Sequence, residues 1–182
     1  MRWYCRFHGV TDKEECPVCH AFKRSMWEVK DDVFVIADGP CLVKYIGKQE
    51  RVVVPNNINI MSEEAFKDNI YVKEAILPNG IYYLKEKTFA NCTSLNKVIL
   101  PEKLEKIMCR AFYHCASLES LIIPKDVFEI HDEAFDGSSI KEITFLNTKE
   151  KWEKITSLYL YGLRVKGTVV VHCIDGDITL TK

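Results

Sequence analysis

PNGIYYLKEKTFANCTSLNKVIL at residues 78–100 runs directly into PEKLEKIMCRAFYHCASLESLII at residues 101–123. Aligned, the two blocks match at Pro78 and Pro101, Ile81 and Leu104, Leu84 and Ile107, and Phe89 and Phe112. They agree again at Cys92 and Cys115, Leu95 and Leu118, Val98 and Leu121, and Leu100 and Ile123. The frame extends in both directions, because Pro55 and Pro124, and Phe66 and Phe135, keep the same 23-residue period. Two residue types locked to one period of this length mark a stacked-repeat protein. Each coil of such a protein has an apolar side that only its neighbours can cover.

The remaining columns fit a short-strand coil. Small residues, Ala65, Thr88, Ala111 and Ala134, precede the phenylalanines. The runs Leu95-x-x-Val98-x-Leu100 and Leu118-x-x-Leu121-x-Ile123 alternate as strands do, and Val72-x-x-Ala75-x-Leu77 is a weaker copy. Alternation turns Val98 and Leu100 inward and Lys97 and Ile99 outward. The proline then ends the strand, where its missing N–H costs least. Next the chain turns, sends another Ile, Leu or Val inward, and forms a short helical or 3₁₀ turn around Ala-Phe. The fourth block loses one residue at Asp136-Gly137-Ser138-Ser139 and resumes with Ile140-x-x-Ile143-x-Phe145. The phenylalanines are expected to stack as an internal spine at about the 4.7–4.9 Å strand spacing.

The pattern Pro-x-x-(I/L/V)-x-x-(I/L/M)-x-x-x-A-F-x-x-C-x-x-L-x-x-(V/L)-x-(L/I) resembles that of BspA-like leucine-rich repeats, over about residues 32–182. Asp38-Gly39-Pro40-Cys41-Leu42 resembles that family's opening β-hairpin, turned at an Asp-Gly pair. Trp152-x-x-Ile155 and Val171-His172-Cys173-Ile174-Asp175-Gly176 resemble its closing segment. The resemblance implies a β-rich solenoid over 31–182, with the opening hairpin at 32–46 and the closing segment at 147–182. It is specific for fold and poor for function. Surface adhesins occur among the relatives, and this chain lacks their export features.

Composition agrees. A chain of 182 residues with 47% hydrophobic content buries a substantial core without disulfides. A formal net charge of −1 argues against bulk attraction to nucleic acid or anionic membrane. No apolar run approaches the roughly 18–20 residues of a membrane span. Met1-Arg2-Trp3-Tyr4-Cys5-Arg6-Phe7-His8 has no secretory apolar core, so an intracellular, cytoplasmic location is expected.

Residues 1–30 depart from the repeat. Cys5-x2-His8 and Cys16-Pro17-Val18-Cys19 place four N/S ligands within fifteen residues, a spacing that lets two knuckles converge on Zn²⁺. The segment resembles a minimal zinc ribbon or zinc knuckle, with Trp3, Tyr4 and Phe7 flanking the first pair. So short a stretch has no core of its own, and the metal would supply much of its stability. Four protein ligands leave no open position, so the one zinc is structural. His20, beside Cys19, is the fallback for His8. Disulfides instead of zinc would need an oxidising compartment.

The remaining cysteines read as reduced. Cys92 and Cys115 share a column with Asn69 and Ser138, where a small, mildly polar residue suits a tight turn, and Cys41 and Cys173 are expected to pack inside. Cys109, His114 and His131 are the nucleophile–base candidates, but no glycine-rich phosphate loop, paired carboxylate motif or open metal site accompanies them. The chain therefore reads as a non-enzyme. A nucleic-acid role is the alternative, resting on the zinc segment. There Arg2, Arg6, Lys13, Lys23 and Arg24 exceed Asp12, Glu14 and Glu15 by two charges, a slight excess for phosphate binding.

On the outward side of the strands the central column reads Val53, Ile76, Ile99, Ile122 and Thr144, flanked by Arg51, Glu74, Lys97, Ser120 and Glu142. Four successive β-branched apolar groups on an outer face, with a polar rim, fit a contact surface. The expected function is a protein-interaction module, an adaptor or inhibitor, whose partner is another protein or a second copy.

Overall fold

The computed structural model describes residues 2–5, 9–11, 27–30, 33–37, 39–131, 133–156, 164–165 and 167–181, with backbone alone for 3–5, 9–11 and 27–30. The N-terminal strands are β1 (Arg2–Cys5), β2 (Gly9–Thr11), β3 (Trp27–Lys30), β4 (Phe34–Ala37) and β5 (Cys41–Tyr45). The turn between β4 and β5 uses Gly39 at φ 90°, as an Asp-Gly hairpin requires. β3 pairs antiparallel with β4. One sheet in the order β2-β1-β3-β4-β5-β7, where β7 is Ile60–Met61, therefore runs through residue 30, where the sequence reading divides its two segments.

From there the chain winds as a β-solenoid of about five turns. One parallel series comprises β6 (Arg51–Val53), β8 (Glu74–Ile76), β10 (Lys97–Ile99), β12 (Ser120–Ile123) and β14 (Glu142–Phe145). The other comprises β7 (Ile60–Met61), β9 (Tyr83–Leu84), β11 (Lys106–Ile107) and β13 (Glu129–Ile130). That second series was not foreseen, because two-residue strands leave no alternation to read. Between the series the prolines open turns. The carbonyls of Pro55, Pro78, Pro101 and Pro124 accept bonds of 3.0–3.3 Å from the amides of Ile58, Ile81, Leu104 and Val127.

The corner around each phenylalanine differs from the expected helical or 3₁₀ turn. Its residues form hydrogen-bonded turns broken by left-handed residues: Glu64, Lys87 and Arg110 two before the ring, and Asp68, Asn91 and His114 two after it. Positive φ ends any right-handed helix, and here it swings amides toward the next coil. Glu64 N–H donates to the Glu86 carbonyl at 3.0 Å, and Asp68 N–H to the Ala90 carbonyl at 2.9 Å. Asn91 N–H and His114 N–H repeat the second bond at 2.8 and 3.0 Å. Gly137, at φ 71°, occupies that column in the fourth coil, and a Cβ there would meet the His114 ring at 1.9 Å. Gly137→Ala is expected to cost about 1–2 kcal/mol in denaturant unfolding. A Gly137→Ala protein as stable as wild type would show that the column does not need its conformation.

The spine forms as expected. Phe66, Phe89, Phe112 and Phe135 are fully buried and stacked, with centroid separations of 4.9, 5.6 and 5.7 Å. The last two exceed the strand spacing because the rings are offset, the favoured arrangement of aromatic pairs. Tyr45 continues the stack beneath Phe66 at 5.1 Å, and Trp152 tilts against Phe145 at 5.3 Å at the other end. Trp152 and Ile155 lie on the buried face of α1 (Lys149–Thr156). The helix begins there because the Thr148 hydroxyl accepts from Lys151 N–H at 3.3 Å and Asp175 accepts from Lys149 N–H at 2.8 Å. β15 (Thr168–Cys173) pairs parallel with β14 and antiparallel with β16 (Gly176–Thr181), closing the described chain. Cys41 and Cys173, expected inside, are half-buried, because each sits at a strand end beside a hairpin turn.

The cysteine column has a defined task. The Asn69 amide donates to the Gly47 carbonyl at 2.8 Å, and the thiols of Cys92 and Cys115 donate to the carbonyls of Phe66 and Phe89 at 3.1 and 3.2 Å. Each thus adds a donor to a carbonyl of the preceding coil; the Phe66 and Phe89 carbonyls also accept from the amides of Asn69 and Cys92, at 3.1 Å each. Burial pushes the Cys92 thiol up to about 12 and Cys115 well above the ordinary range, which keeps both protonated as donors.

Candidate functional site

Strand alternation puts Val52, Ala75, Val98, Leu121 and Ile143 in the core and the residue after each of them outside. Parallel pairing in register then aligns the outer residues: Val53 with Ile76, Ile76 with Ile99, and Ile122 with Thr144. Val53, Ile99 and Ile122 are 51%, 42% and 58% exposed, while Ile76 and Thr144 are half-buried. The structure thus brings all five residues onto one face. The row continues to His172, opposite Thr144, whose ring meets Asp177 at 2.9 Å.

One border of this row is a charged ladder. Glu74 accepts from Arg51 Nε at 3.0 Å and lies 3.0 Å from Lys97 Nζ, so one carboxylate bridges two coils. The hydrogen bond from Lys97, ahead of the charges of Lys97 and Arg51, pulls the Glu74 carboxyl below its ordinary value. Exposed pairs of this kind add little stability. They do fix polar groups at the edge of an apolar strip, the arrangement of an interface rim.

The row is interrupted midway. β6, β8 and β10 form one sheet, and β12, β14, β15 and β16 form another, with no pairing between β10 and β12. At the intact steps the amides of Val54 and Leu77 donate to the carbonyls of Ile76 and Ile99. Likewise Asn96 and Lys97 amides reach the Lys73 carbonyl, and Lys141 and Glu142 amides reach the Glu119 carbonyl. Among the described residues the corresponding bonds from Leu100 to Ile122 and from Glu119 or Ser120 to Asn96 are absent. A cleft of about 700 Å³ opens at this step between Ile99 and Ile122. Val98 and Leu100, at 7% and 9%, are the most exposed residues of the strand core.

A second exposed patch lies on the other series, where Ile60, Tyr82 and Tyr83 surround a shallow pocket of about 400 Å³. The sequence reading missed it. Its only signal was two adjacent tyrosines at positions occupied by Glu105 and Lys106 one coil on.

Two of the catalytic candidates, Cys109 and His114, have contacts that do not activate them. Cys109 lies 3.5 Å from Glu133, and burial, then the Glu133 hydrogen bond, pushes its thiol up to about 11, away from the thiolate. Glu133 is held instead by Arg110 at 2.8 Å and Arg164 at 3.3 Å. His114 stacks on Tyr113 at 3.9 Å. Among the described residues no group of three or more His, Cys, Asp or Glu is placed to hold a metal ion. His8, Cys16 and Cys19, the fallback His20 and the side chain of Cys5 lie outside the described residues. No described helix is long and apolar enough to cross a membrane.

Parallel coils, an internal phenylalanine stack and a proline at each turn define a leucine-rich-repeat solenoid. The chain belongs to the BspA type leucine rich repeat region family, which matches residues 43–159 in six copies. No curated protein matches it. Among solved structures it is similar to the pneumococcal vaccine antigen PcpA, with 26% identity and a TM-score of 0.65 over 81% of this chain. The chain spans 36% of that antigen's length. A leucine-rich repeat protein from Bacteroides capillosus aligns at 21% identity and a TM-score of 0.54, covering 66% of this chain and 92% of that one. A leucine rich cell surface protein from Faecalibacterium prausnitzii aligns at 22% and 0.53, covering 71% of this chain and 40% of that one. These last two likenesses establish the fold alone. Solenoids of this class bind macromolecules through their extended faces, which is compatible with an interaction module. Neither the family nor the solved relatives support the nucleic-acid alternative.

Proposed function

We propose that this chain is a non-catalytic protein-interaction module, an adaptor or inhibitor, that engages a protein partner through the strand face of Val53, Ile76, Ile99, Ile122 and Thr144. The observation that carries this reading is one aligned column in which Val53, Ile99 and Ile122 are exposed and Ile76 is half-buried. Single exposed apolar residues are ordinary, whereas an aligned row with a charged rim has the anatomy of an interface. A second copy of the chain is a further candidate partner for the same face.

We further assign residues 1–30 one structural zinc, held by Cys5, His8, Cys16 and Cys19. Supporting it, β1 and β2 pair antiparallel, and Cys5 is the last paired residue of β1, opposite Gly9. The five cysteines whose side chains are described, all free, suit a reducing compartment and hence a location inside the cell.

The face is tested with Ile99→Asp combined with Ile122→Asp. Because both side chains are largely exposed, each change is expected to alter stability by no more than about 0.5 kcal/mol. Pull-downs from source cells with wild type and the folded double variant, read by mass spectrometry, are expected to lose the partner with the variant. A variant that unfolds refutes the outward facing of the column. One that folds and retains every partner places the interface elsewhere.

A further inference from the structure

Of the asparagines in the chain, only Asn79 precedes a glycine. Asparagine is a thermally labile residue, because the backbone nitrogen that follows it can attack its side-chain carboxamide. Two safeguards oppose that attack in a folded protein: the next residue's side chain crowds its own nitrogen, and the N–H is already engaged in a hydrogen bond. One or both are in place at the other asparagines. The amides that follow Asn57, Asn59, Asn91 and Asn96 donate to the carbonyls of Pro55, Pro40, Phe89 and Lys73 at 3.0–3.2 Å. Thr148 N–H is held at 2.9 Å by the side-chain oxygen of Asn147 itself. Asn56 and Asn69 are followed by Asn57 and Ile70, whose side chains supply the crowding.

At Asn79 neither safeguard operates. Gly80 has no side chain, and among the described residues its N–H donates to no acceptor. The turn is closed one residue later, by Ile81 N–H on the Pro78 carbonyl at 3.1 Å. Asn79 is exposed, so water and base reach its carboxamide. Its side-chain oxygen accepts from the Glu102 amide of the next coil at 3.4 Å. That donor draws electrons from the carboxamide carbon and faces the oxygen on which negative charge grows during attack, the task of an oxyanion-binding donor. The repeat itself does not ask for glycine here, since equivalent positions carry Asn57, Lys103 and Asp126. What is particular to this coil is crowding from below: a Cβ at Gly80 would lie 3.0 Å from Asn59 Cβ and 3.2 Å from the Ile58 carbonyl oxygen.

We propose that Asn79 is a self-modification site, at which the Gly80 amide nitrogen closes on the Asn79 carboxamide and converts it to an acid. The nitrogen gives its proton to base and bonds to the side-chain carbonyl carbon. The carbon–nitrogen bond of the carboxamide then breaks, and ammonia leaves with a proton returned to it. The product is a succinimide ring. Water adds to either of its two carbonyl carbons and breaks that carbon's bond to the Gly80 nitrogen, which recovers a proton. Opening at the side-chain carbon leaves an aspartyl residue. Opening at the backbone carbon leaves an isoaspartyl residue, whose main chain is one methylene longer. The balance is one water consumed and one ammonia released, without oxidant or cofactor. Either product sets a carboxylate beside the exposed Tyr82–Tyr83 patch, whose pocket Gly80 lines. The longer product also pushes on the approach to β9 where the backbone is tightest against Ile58 and Asn59.

The test ages the full chain at neutral pH and body temperature and follows its tryptic peptides by chromatography and mass spectrometry against an unaged aliquot. Trypsin cuts after Lys73 and Lys85, so residues 74–85 form a peptide with Asn79 as its sole asparagine, and the peptides holding the others are internal controls. The 74–85 peptide is expected to change from amide to acid and to split into two products of equal mass. Its conversion should run at least about tenfold faster than that of any control, a barrier lower by about 1.4 kcal/mol. The rate should rise with pH, because base must take the Gly80 proton. Asn79→Gln, which would have to close a larger ring, and Gly80→Ala are each expected to slow it about tenfold or more. The exposed Asn79→Gln change keeps the test open if Gly80→Ala does not fold. A synthetic 74–85 peptide aged alongside separates chemistry from structure: if it converts while the folded chain does not, the turn shields Asn79 and the proposal fails. It fails also if Asn79 converts no faster than the controls, or if folded Gly80→Ala converts as fast as wild type. A mass change that persists in Asn79→Gln places the reaction at another residue and overturns the assignment. In the separated isoaspartyl form the amides of Glu105 and Lys106, which donate to the Tyr82 carbonyl at 2.8 and 3.3 Å, are expected to exchange about tenfold faster. Unchanged exchange there overturns the effect on β9.

Discussion

Phe112→Ala is expected to lower the unfolding free energy by about 3–5 kcal/mol, the cost of deleting a fully buried aromatic ring. Phe112 has no exposed surface and stacks on Phe89 at 5.6 Å and Phe135 at 5.7 Å. The loss belongs at the upper end of that range because of where the ring lies. Behind it the outer sheet is split, so the spine and the β9-β11-β13 sheet carry the joint between these two coils. Neighbouring atoms cannot close the cavity without separating backbones held by the bond from Phe112 N–H to the Ala134 carbonyl, 2.8 Å long. Denaturant unfolding measures the loss. Hydrogen exchange should show faster opening concentrated in the adjoining coils, since a solenoid couples mainly nearest neighbours. A variant that unfolds like wild type would refute the assigned spine.

The second large effect concerns zinc. Protein purified reduced is expected to carry one zinc per chain, and Cys16→Ser or Cys19→Ser to release it. Structural zinc in small Cys/His peptides binds with apparent free energies of about 10–16 kcal/mol at neutral pH, and that energy is also folding energy. Release is therefore expected to unfold the N-terminal segment while the repeats keep their own transition. Among the described residues the repeats have a continuous buried core from Phe34 to Val171. Thiolate ligands must lose protons, so affinity should fall as pH drops. Elemental analysis finding no metal in reduced protein would end the assignment, and loss of metal that also melts the repeats would refute their independence.

Fold was legible because a solenoid writes its architecture into one-dimensional periodicity. Proline, phenylalanine and the alternating strand columns each recur at 23 residues, and each has one physical reason to do so. The outward column was legible for the same reason, since strand alternation alone fixes which side chains leave the core. What escaped was everything that depends on how one coil sits on the next. Ile99 and Ile122 are ordinary members of their column, and nothing in their identity announces that their strands part. The left-handed corners carry Glu, Lys, Arg, Asp, Asn and His, which reveal no positive φ because the benefit lies in amides reaching the following coil. Cys92 and Cys115 were recognisable as small, mildly polar residues, but their carbonyl partners lie 26 residues away. The zinc ligands rest on spacing alone.

The aromatic pairs in the opening and closing segments, Tyr45 stacked on Phe66 and Trp152 tilted against Phe145, carry an evolutionary consequence. They make the interior coils interchangeable inserts between two fixed terminators. Duplicating residues 78–100 would add one ring to the stack, one outward residue to the face and about 4.8 Å of reach, and would leave both terminators untouched. The shortened fourth coil marks the limit of that freedom. β12 meets β14 at an offset of 22 residues, whereas β8 meets β10 at 23, so the coil beside the helix is a fitted adapter. Lineages of this architecture can therefore lengthen or shorten their grip in discrete increments upstream of residue 124, like links in a chain with a dedicated clasp.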